Sequence, residues 1–343
     1  MTTQHLSPLT MLLSRHTRRR VFITFLGSAA AWPLAARAQQ PKVPVIGLLA
    51  VAAPEANAAR LRAFREGLRT AGYVEDQNVK IEYRWAEAHT GRLPELAANL
   101  VRDRVAVLVA AGGTASAVAA KAATSEIPIV FGIAADPVEL GLVASLNRPG
   151  GNVTGVTSLN IEVAPKRLEL LHELLPSVTG MALLVNPAVP AIAEPVSRLS
   201  QAAAQALGLQ LHVVHASNDR DFDAVFEQLV QRGVRALVIG PDNLFTIHKE
   251  QLAKLTVRHA IPAISQYREF AAAGGLMSYG SSETEYYRLV GTYAGRVLKG
   301  DKPANLPVQQ STKVELFLNF KTAKALGITV PLPLSGRADE IFE

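Results

Sequence analysis

The sequence predicts an α/β protein built from two doubly wound parallel-sheet lobes. Three observations predict it. Short β-rich runs alternate with amphipathic helical stretches from residue 45 onward, which calls for parallel strands with right-handed helical crossovers. The alternation breaks around Asn147–Asn160, an Arg-Pro-Gly-Gly-Asn turn followed by a Val-Thr-Gly-Val-Thr-Ser run, and then restarts. The chain has 343 residues, 49% apolar and 19% charged, enough for two cores of ordinary size and far from a disordered composition.

In the first half, Val45–Leu49 is continuously apolar and predicts a buried strand. Leu61, Phe64, Leu68 and Ala71 recur at helical spacing up to Gly72, a helix stop. Val79–Trp85 alternates as a strand, and Leu93, Leu96, Ala97, Leu100 and Val101 form the next helical face. Val105–Ala110 predicts a strand, which Gly112-Gly113-Thr114 turns into an Ala-rich helix. Ile127–Ile133 is a further strand. Asp136-Pro137-Val138-Glu139 combines an N-cap aspartate, a first-turn proline and a glutamate, and predicts another helix start.

In the second half, Leu168, Leu171 and Leu175 share a helical face and Met181–Val185 is a strand ending at Asn186-Pro187. A helix over 191–207 and a strand at Leu209–Val214 follow. Phe222, Val225, Phe226, Leu229 and Val230 make a strongly amphipathic helix. Ala236–Gly240 is a strand ending at Pro241-Asp242-Asn243, then a helix runs to about Ala260. Ile261–Ser265 and Leu276–Tyr279 complete the second sheet. Ser282–Glu285 is a capping box for a helix with Leu289, Val290, Tyr293 and Val297 on one face. One more extended stretch, Val308–Leu318, and a short helix from Lys321 to Leu326 close the chain.

The first 38 residues stand apart. Arg18-Arg19-Arg20, an apolar run from Val21 to Ala35 and Ala36-Arg37-Ala38 follow the order of a secretory signal with an A-x-A cleavage site. The apolar run falls short of the ~20 residues a membrane span needs, and Arg19-Arg20-Val21-Phe22-Ile23 resembles a twin-arginine export motif; a general secretory signal is the alternative. The expected mature protein starts at Gln39 and works in the periplasm. Removing the five arginines of this leader from the formal +6 leaves +1 on the other 305 residues, so no cationic stripe for nucleic acid remains.

The chain has no cysteine, which excludes disulfides, thiolate catalysis and thiolate metal sites. No dinucleotide fingerprint, Walker loop, zincin helix or nucleophile elbow occurs. His212 and His215 fall on opposite faces of a strand, an arrangement that spoils a shared metal site. Neither catalytic residues, metal nor cofactor are expected. What remains are strand-to-helix turns, the places where open α/β sheets hold ligands and where free N–H groups attract anions. The candidate ligand-binding residues are Gly113, Thr114, Ala115 and Asp136 in the first half, Asn186, Asp242, Phe245 and Tyr267 in the second, and Ser158 and Tyr279 near the junctions. Thr114, Asp136 and Asp242 also fit ordinary helix caps, and the aromatic residues also fit the core.

An export leader, two serial α/β lobes and no catalytic motif resemble a periplasmic solute-binding protein. Ile127–Thr157, Arg167–Pro176, Gly240–Phe245, Ile261–Gly280, Leu306–Pro331 and Arg337–Glu343 resemble the substrate-binding proteins of ABC transporters of the tryptophan/tyrosine-type family, across residues 42–343. The resemblance implies a type I periplasmic binding fold with a multi-strand hinge and crossings near Val156–Leu159, Tyr279–Ser282 and Gln310–Val314. It implies one lobe from 39–156 plus 282–311 and another from 157–281 plus 312–343. The implied function is capture of a small molecule, amino-acid-like or a small organic anion, for a membrane permease, by a monomer. In that role the Gly113–Ala115 turn would take a carboxylate and Asp242 an ammonium. Asn186 or Ser158 would add hydrogen bonds, and Phe245, Tyr267 and Tyr279 would flank an apolar group. A ligand-sensing subunit of the same fold without transport and a secreted α/β enzyme are the alternatives.

Overall fold

A computed structural model describes residues 43–54 and 57–343; the export leader and its cleavage site lie outside the described residues. Pro44–Glu343 form one compact unit containing two sheets. In chain order the first half supplies β1 (Val45–Ala50), α1 (Ala58–Thr70), β2 (Lys80–Trp85), α2 (Leu93–Arg102), β3 (Val107–Ala110), α3 (Thr114–Ala123), β4 (Ile129–Ile133) and β5 (Val153–Ser158). The second half supplies α4 (Ala164–Leu174), β6 (Gly180–Val185), α5 (Pro190–Ala206), β7 (Gln210–His215), α6 (Asp221–Gln231), β8 (Leu237–Ile239), α7 (Asn243–Ile247), α8 (Lys249–Arg258), β9 (Ala263–Ser265), α9 (Arg268–Ala272) and β10 (Met277–Ser281). The tail adds α10 (Glu283–Leu298), β11 (Gln309–Ser311), β12 (Val314–Asn319), α11 (Phe320–Ala325), α12 (Leu332–Ser335) and β13 (Glu340–Phe342).

The first sheet has the order β11-β5-β4-β3-β1-β2, all parallel. The second has the order β13-β12-β10-β9-β8-β6-β7 and is parallel except where β12 runs against β10. Two α/β lobes with helices on both faces follow from the strands themselves. Along β1, Ile46, Leu48 and Ala50 enter one core while Leu49 enters the other; along β6, Met181, Leu183 and Val185 face one core and Ala182 and Leu184 the opposite one. Strands apolar on both faces are stable only when covered on both, as parallel crossovers achieve.

Three expected elements differ. The helix expected after Asn243 to about Ala260 is two, α7 and α8, separated at His248. Asp136 opens no helix: Leu140 N bonds back to its carbonyl, and Leu142 and Val143 then converge on the Pro137 carbonyl, which closes a single turn. The extended stretch at Val308–Leu318 is two strands in different sheets, β11 and β12, separated by Thr312-Lys313.

The chain passes between the sheets after Ser158, after Ser281 and after Ser311, and hydrogen bonds lace the three passages together. Leu159 N donates to Ser281 Oγ at 2.8 Å, Ser281 N to Asn160 Oδ1 at 3.0 Å and Ser282 N to the Lys313 carbonyl at 2.8 Å. Ser282 caps α10 by accepting from Glu285 N, while the Glu285 carboxylate turns to Lys313 N at 3.2 Å instead of completing the reciprocal capping bond. After the second passage α10 lies against α1 so closely that a Cβ on Gly291 would sit 2.0 Å from the Phe64 carbonyl oxygen and one on Gly67 1.9 Å from that of Arg288. Val290, Tyr293, Ala294 and Val297 thereby join the core of the first sheet.

Candidate functional site

The carboxyl ends of the strands of both lobes meet at the junction. On the first lobe, β3 ends in Ala111-Gly112-Gly113. Gly113 is the N-cap of α3, with φ +97° and ψ −176°, a region essentially closed to other residues. Thr114 is therefore not the cap; its Oγ1 is buried and has no hydrogen-bond partner, and Ala115 is exposed beside it. Ser158, at the end of β5, is buried with its Oγ likewise unpartnered. Asp136 is exposed and its Oδ1 accepts from Val138 N at 2.7 Å, the role of a turn cap. Burial and the Asp136 charge together push the nearby Glu162 carboxyl above its usual range.

On the second lobe, Asp242 is the N-cap of α7: its Oδ1 accepts from Leu244 N at 2.7 Å and from Asn186 Nδ2 at 3.2 Å. Burial pushes its carboxyl up, against those two bonds. Asn186 is also engaged through Oδ1, which accepts from Ala188 N. These two residues line a crevice closed by Ile192, Ala193 and Val196. Of the two places the sequence allows Phe245, core or pocket wall, the structure shows the core: it is 3% exposed, its ring 6.0 Å from that of Phe222. Tyr279 is half-buried against the other core of the same lobe, and its carbonyl accepts from Arg167.

Open space lies elsewhere along the junction. A cavity of about 50 Å³ is bounded by Arg60 of α1 and Glu283 of α10 from one side and by Gln266, Tyr267 and Glu269 from the other. Of the ten sequence-derived candidates only Tyr267 lines it. Arg60 is held by Glu283, with Nε 2.9 Å and Nη2 2.7 Å from Oε1, and its guanidinium lies 5.7 Å from the centre of the Tyr287 ring. Burial alone would lower the Arg60 pKa, but Glu283 and the Tyr287 and Tyr267 phenols hold it above its ordinary value. Burial pushes the Tyr287 phenol up to about 12, and its hydroxyl donates to the Ala111 carbonyl at 2.8 Å, tying α10 to the end of β3.

Behind Tyr267 sits a polar knot. Asn160, fully buried, donates Nδ2 to the Tyr267 hydroxyl at 3.0 Å and accepts from Ser281 N. Arg167, also fully buried, donates to the Asn160 and Tyr279 carbonyls, clamping the first passage to β10. Burial pulls its guanidinium down to about 10, still protonated at neutral pH.

Sequence reasoning missed Arg60, Glu283, Glu269, Asn160 and Arg167. Arg167 left a signal, since Val163, Ala164, Leu170 and Leu171 surround it at helical spacing and put it on a buried stripe. Arg60 and Glu283 look like ordinary residues of solvent-facing helix turns. Among the described residues there is no group of three His, Asp or Glu able to hold a metal and no helix long and apolar enough to cross a membrane.

Two lobes laced by three passages around an inter-lobe cavity form a frame for enclosing a small molecule, and residues 42–342 match the family described as ABC transporter substrate binding protein. The chain belongs to this family. It is the extracytoplasmic solute-binding component of an ABC importer, with the type I periplasmic binding fold. A tyrosine-binding protein of Clostridioides difficile is 29% identical over 266 residues, 77% of this chain and 75% of that protein. The structure of an ABC domain from Streptococcus pneumonia in complex with L-Trp superposes with TM-score 0.80 at 25% identity, covering 88% of this chain and all of that one. A ligand-free, open substrate-binding protein from Clostridium difficile shares the fold with TM-score 0.66 at 24% identity, covering 88% and 99%.

Proposed function

We propose that this substrate-binding protein captures an amino-acid-like solute with an aromatic side chain between its lobes, 39–156 plus 282–311 and 157–281 plus 312–343, and delivers it to a membrane permease. The observation that carries the reading is the inter-lobe cavity. It is walled by side chains of both lobes, and its 50 Å³ is small against the ~300 Å³ and more that ligand sites enclose. A solute therefore enters an opened form, and closure around it is favoured because only the closed form touches it from both sides. A relative named for binding tyrosine and a similar structure holding L-Trp support an aromatic amino acid.

The unpartnered hydroxyls of Thr114, in the first turn of the ten-residue α3, and of Ser158, at the end of β5, are suited to a solute carboxylate. Tyr267 supplies the ring that faces the apolar part. The leader would be removed near Ala38 and the mature protein released to the periplasm, by the twin-arginine route that the Arg19-Arg20 pair suggests.

Thermal-shift screening of the full chain against amino acids, aromatic acids and sugars tests the reading. A solute at a hundredfold excess over Kd should add about 2.7 kcal/mol; the absence of a shift with every class overturns it. N-terminal sequencing of the periplasmic protein should begin at Gln39, and an intact Met1 there would refute processing.

A further inference from the structure

The cavity at the lobe junction holds one carboxyl group that no side chain pairs with among the described residues. Five acidic or basic side chains line it: Arg60, Arg268, Glu269, Glu283 and Glu315. Arg60 is paired with Glu283. Arg268 is engaged by both carboxylate oxygens of Glu340 at 2.6 Å, and Glu315 pairs with Lys313 at 2.6 Å. Glu269 is left over. Its Oε2 is buried and has no hydrogen-bond partner. The cations nearest in effect are Arg60 and Arg268, both already committed to other carboxylates, while burial and the facing Glu283 disfavour its charged form.

We propose that Glu269 receives a protonated amine of the bound solute, so that the site selects amine-bearing ligands over organic anions of the same shape. This rests on the reading that the solute binds between the lobes. An unpaired buried acceptor costs about 1–3 kcal/mol and more when charged, and an ammonium group restores both the hydrogen bond and the charge balance in one contact. The Tyr267 ring, two residues earlier on the same turn, lines the same space, so the amine and an aromatic group of one small solute meet neighbouring walls. Asp242, the acid that the sequence suggested for this task, already accepts two hydrogen bonds as a helix cap.

Calorimetry of the full chain with L-tyrosine and L-tryptophan, and with their deaminated counterparts 3-(4-hydroxyphenyl)propionate and indole-3-propionate, tests the assignment. The amines should bind the wild-type protein at least tenfold more tightly than the deaminated compounds, and Glu269→Gln should narrow the gap to threefold or less. Equal affinities in the wild-type protein, a measurement independent of any variant's folding, overturn the proposal while leaving the solute-binding reading intact. A gap that persists in a Glu269→Gln variant of unchanged circular dichroism places the amine elsewhere and also overturns it. Failure of all four compounds to bind removes both the aromatic amino-acid reading and the inference.

Discussion

Asn243, on the second lobe, donates Nδ2 to the Gly112 carbonyl of the first lobe at 2.8 Å. The bond joins the turn after β8 to the turn after β3, and it exists only while the lobes are together. One such bond is worth about 0.5–1.5 kcal/mol net. Asn243→Ala should therefore raise the open population of the ligand-free protein and weaken solute binding about threefold to tenfold. Small-angle scattering with and without solute checks this; an unchanged radius of gyration together with unchanged affinity counts against it.

Gly113 faces the same asparagine. A Cβ there would approach Asn243 Nδ2 to 2.5 Å, a flexible group that can yield, but φ +97° cannot be relieved in that way. Gly113→Ala should cost about 1–3 kcal/mol of stability from backbone strain, read by urea unfolding, and should also reduce affinity because the α3 N-terminus is displaced.

Tyr267 and Asn160 link the cavity wall to the passages. Tyr267→Phe removes the hydroxyl that accepts from Asn160 Nδ2 and leaves a fully buried donor unpaired. The expected loss is about 1–3 kcal/mol, larger than a surface Tyr→Phe change would give. Thermal and urea unfolding of the variant measure it, and a loss under half a kcal/mol would mean that Asn160 re-pairs.

Asp242 predicts a pH dependence of definite sign. Its folded pKa is raised by burial above the unfolded value, so the folded state holds the proton more tightly and this residue's contribution to stability falls as pH rises from the ordinary aspartate range through the raised value. Asp242→Asn keeps an acceptor for Leu244 N and cannot ionise. Its melting temperature minus that of wild type should therefore rise on going from pH 4 to pH 7, and a value that falls over that range contradicts the assignment. Asp242→Ala loses the cap and should cost about 0.5–2 kcal/mol at both pH values.

The α1–α10 contact gives a packing prediction. Gly291→Ala would set a methyl 2.0 Å from the Phe64 backbone oxygen. Because the obstacle is main chain, the helices must separate, at a cost of about 1–3 kcal/mol or more, visible as reduced yield or a lowered melting temperature. Gly72→Ala has free space around it and tests backbone strain alone, since φ is +84° there.

Much of the molecule was determined by the sequence alone. The β-α alternation, its interruption near residue 150 and the continuous apolar runs at Val45–Leu49 and Met181–Val185 dictate two parallel sheets covered on both faces, because local periodicity decides which residues must be buried. The turns after Gly112 and Pro241 were legible for the same reason: glycine, proline and capping residues act within a few positions of themselves. Tertiary structure alone decided where the open space lies. Arg60 and Glu283 are 223 residues apart, and Asn160 and Tyr267 107 residues apart; each is unremarkable in its own helix turn or loop and gains its role only when the chain passages bring distant segments together. Asp242, by contrast, fits both an ammonium partner and a helix cap by sequence, and the structure shows it engaged as a cap. A buried carboxylate satisfies the nearest donor first, and which donors are near is fixed by packing rather than by residue type.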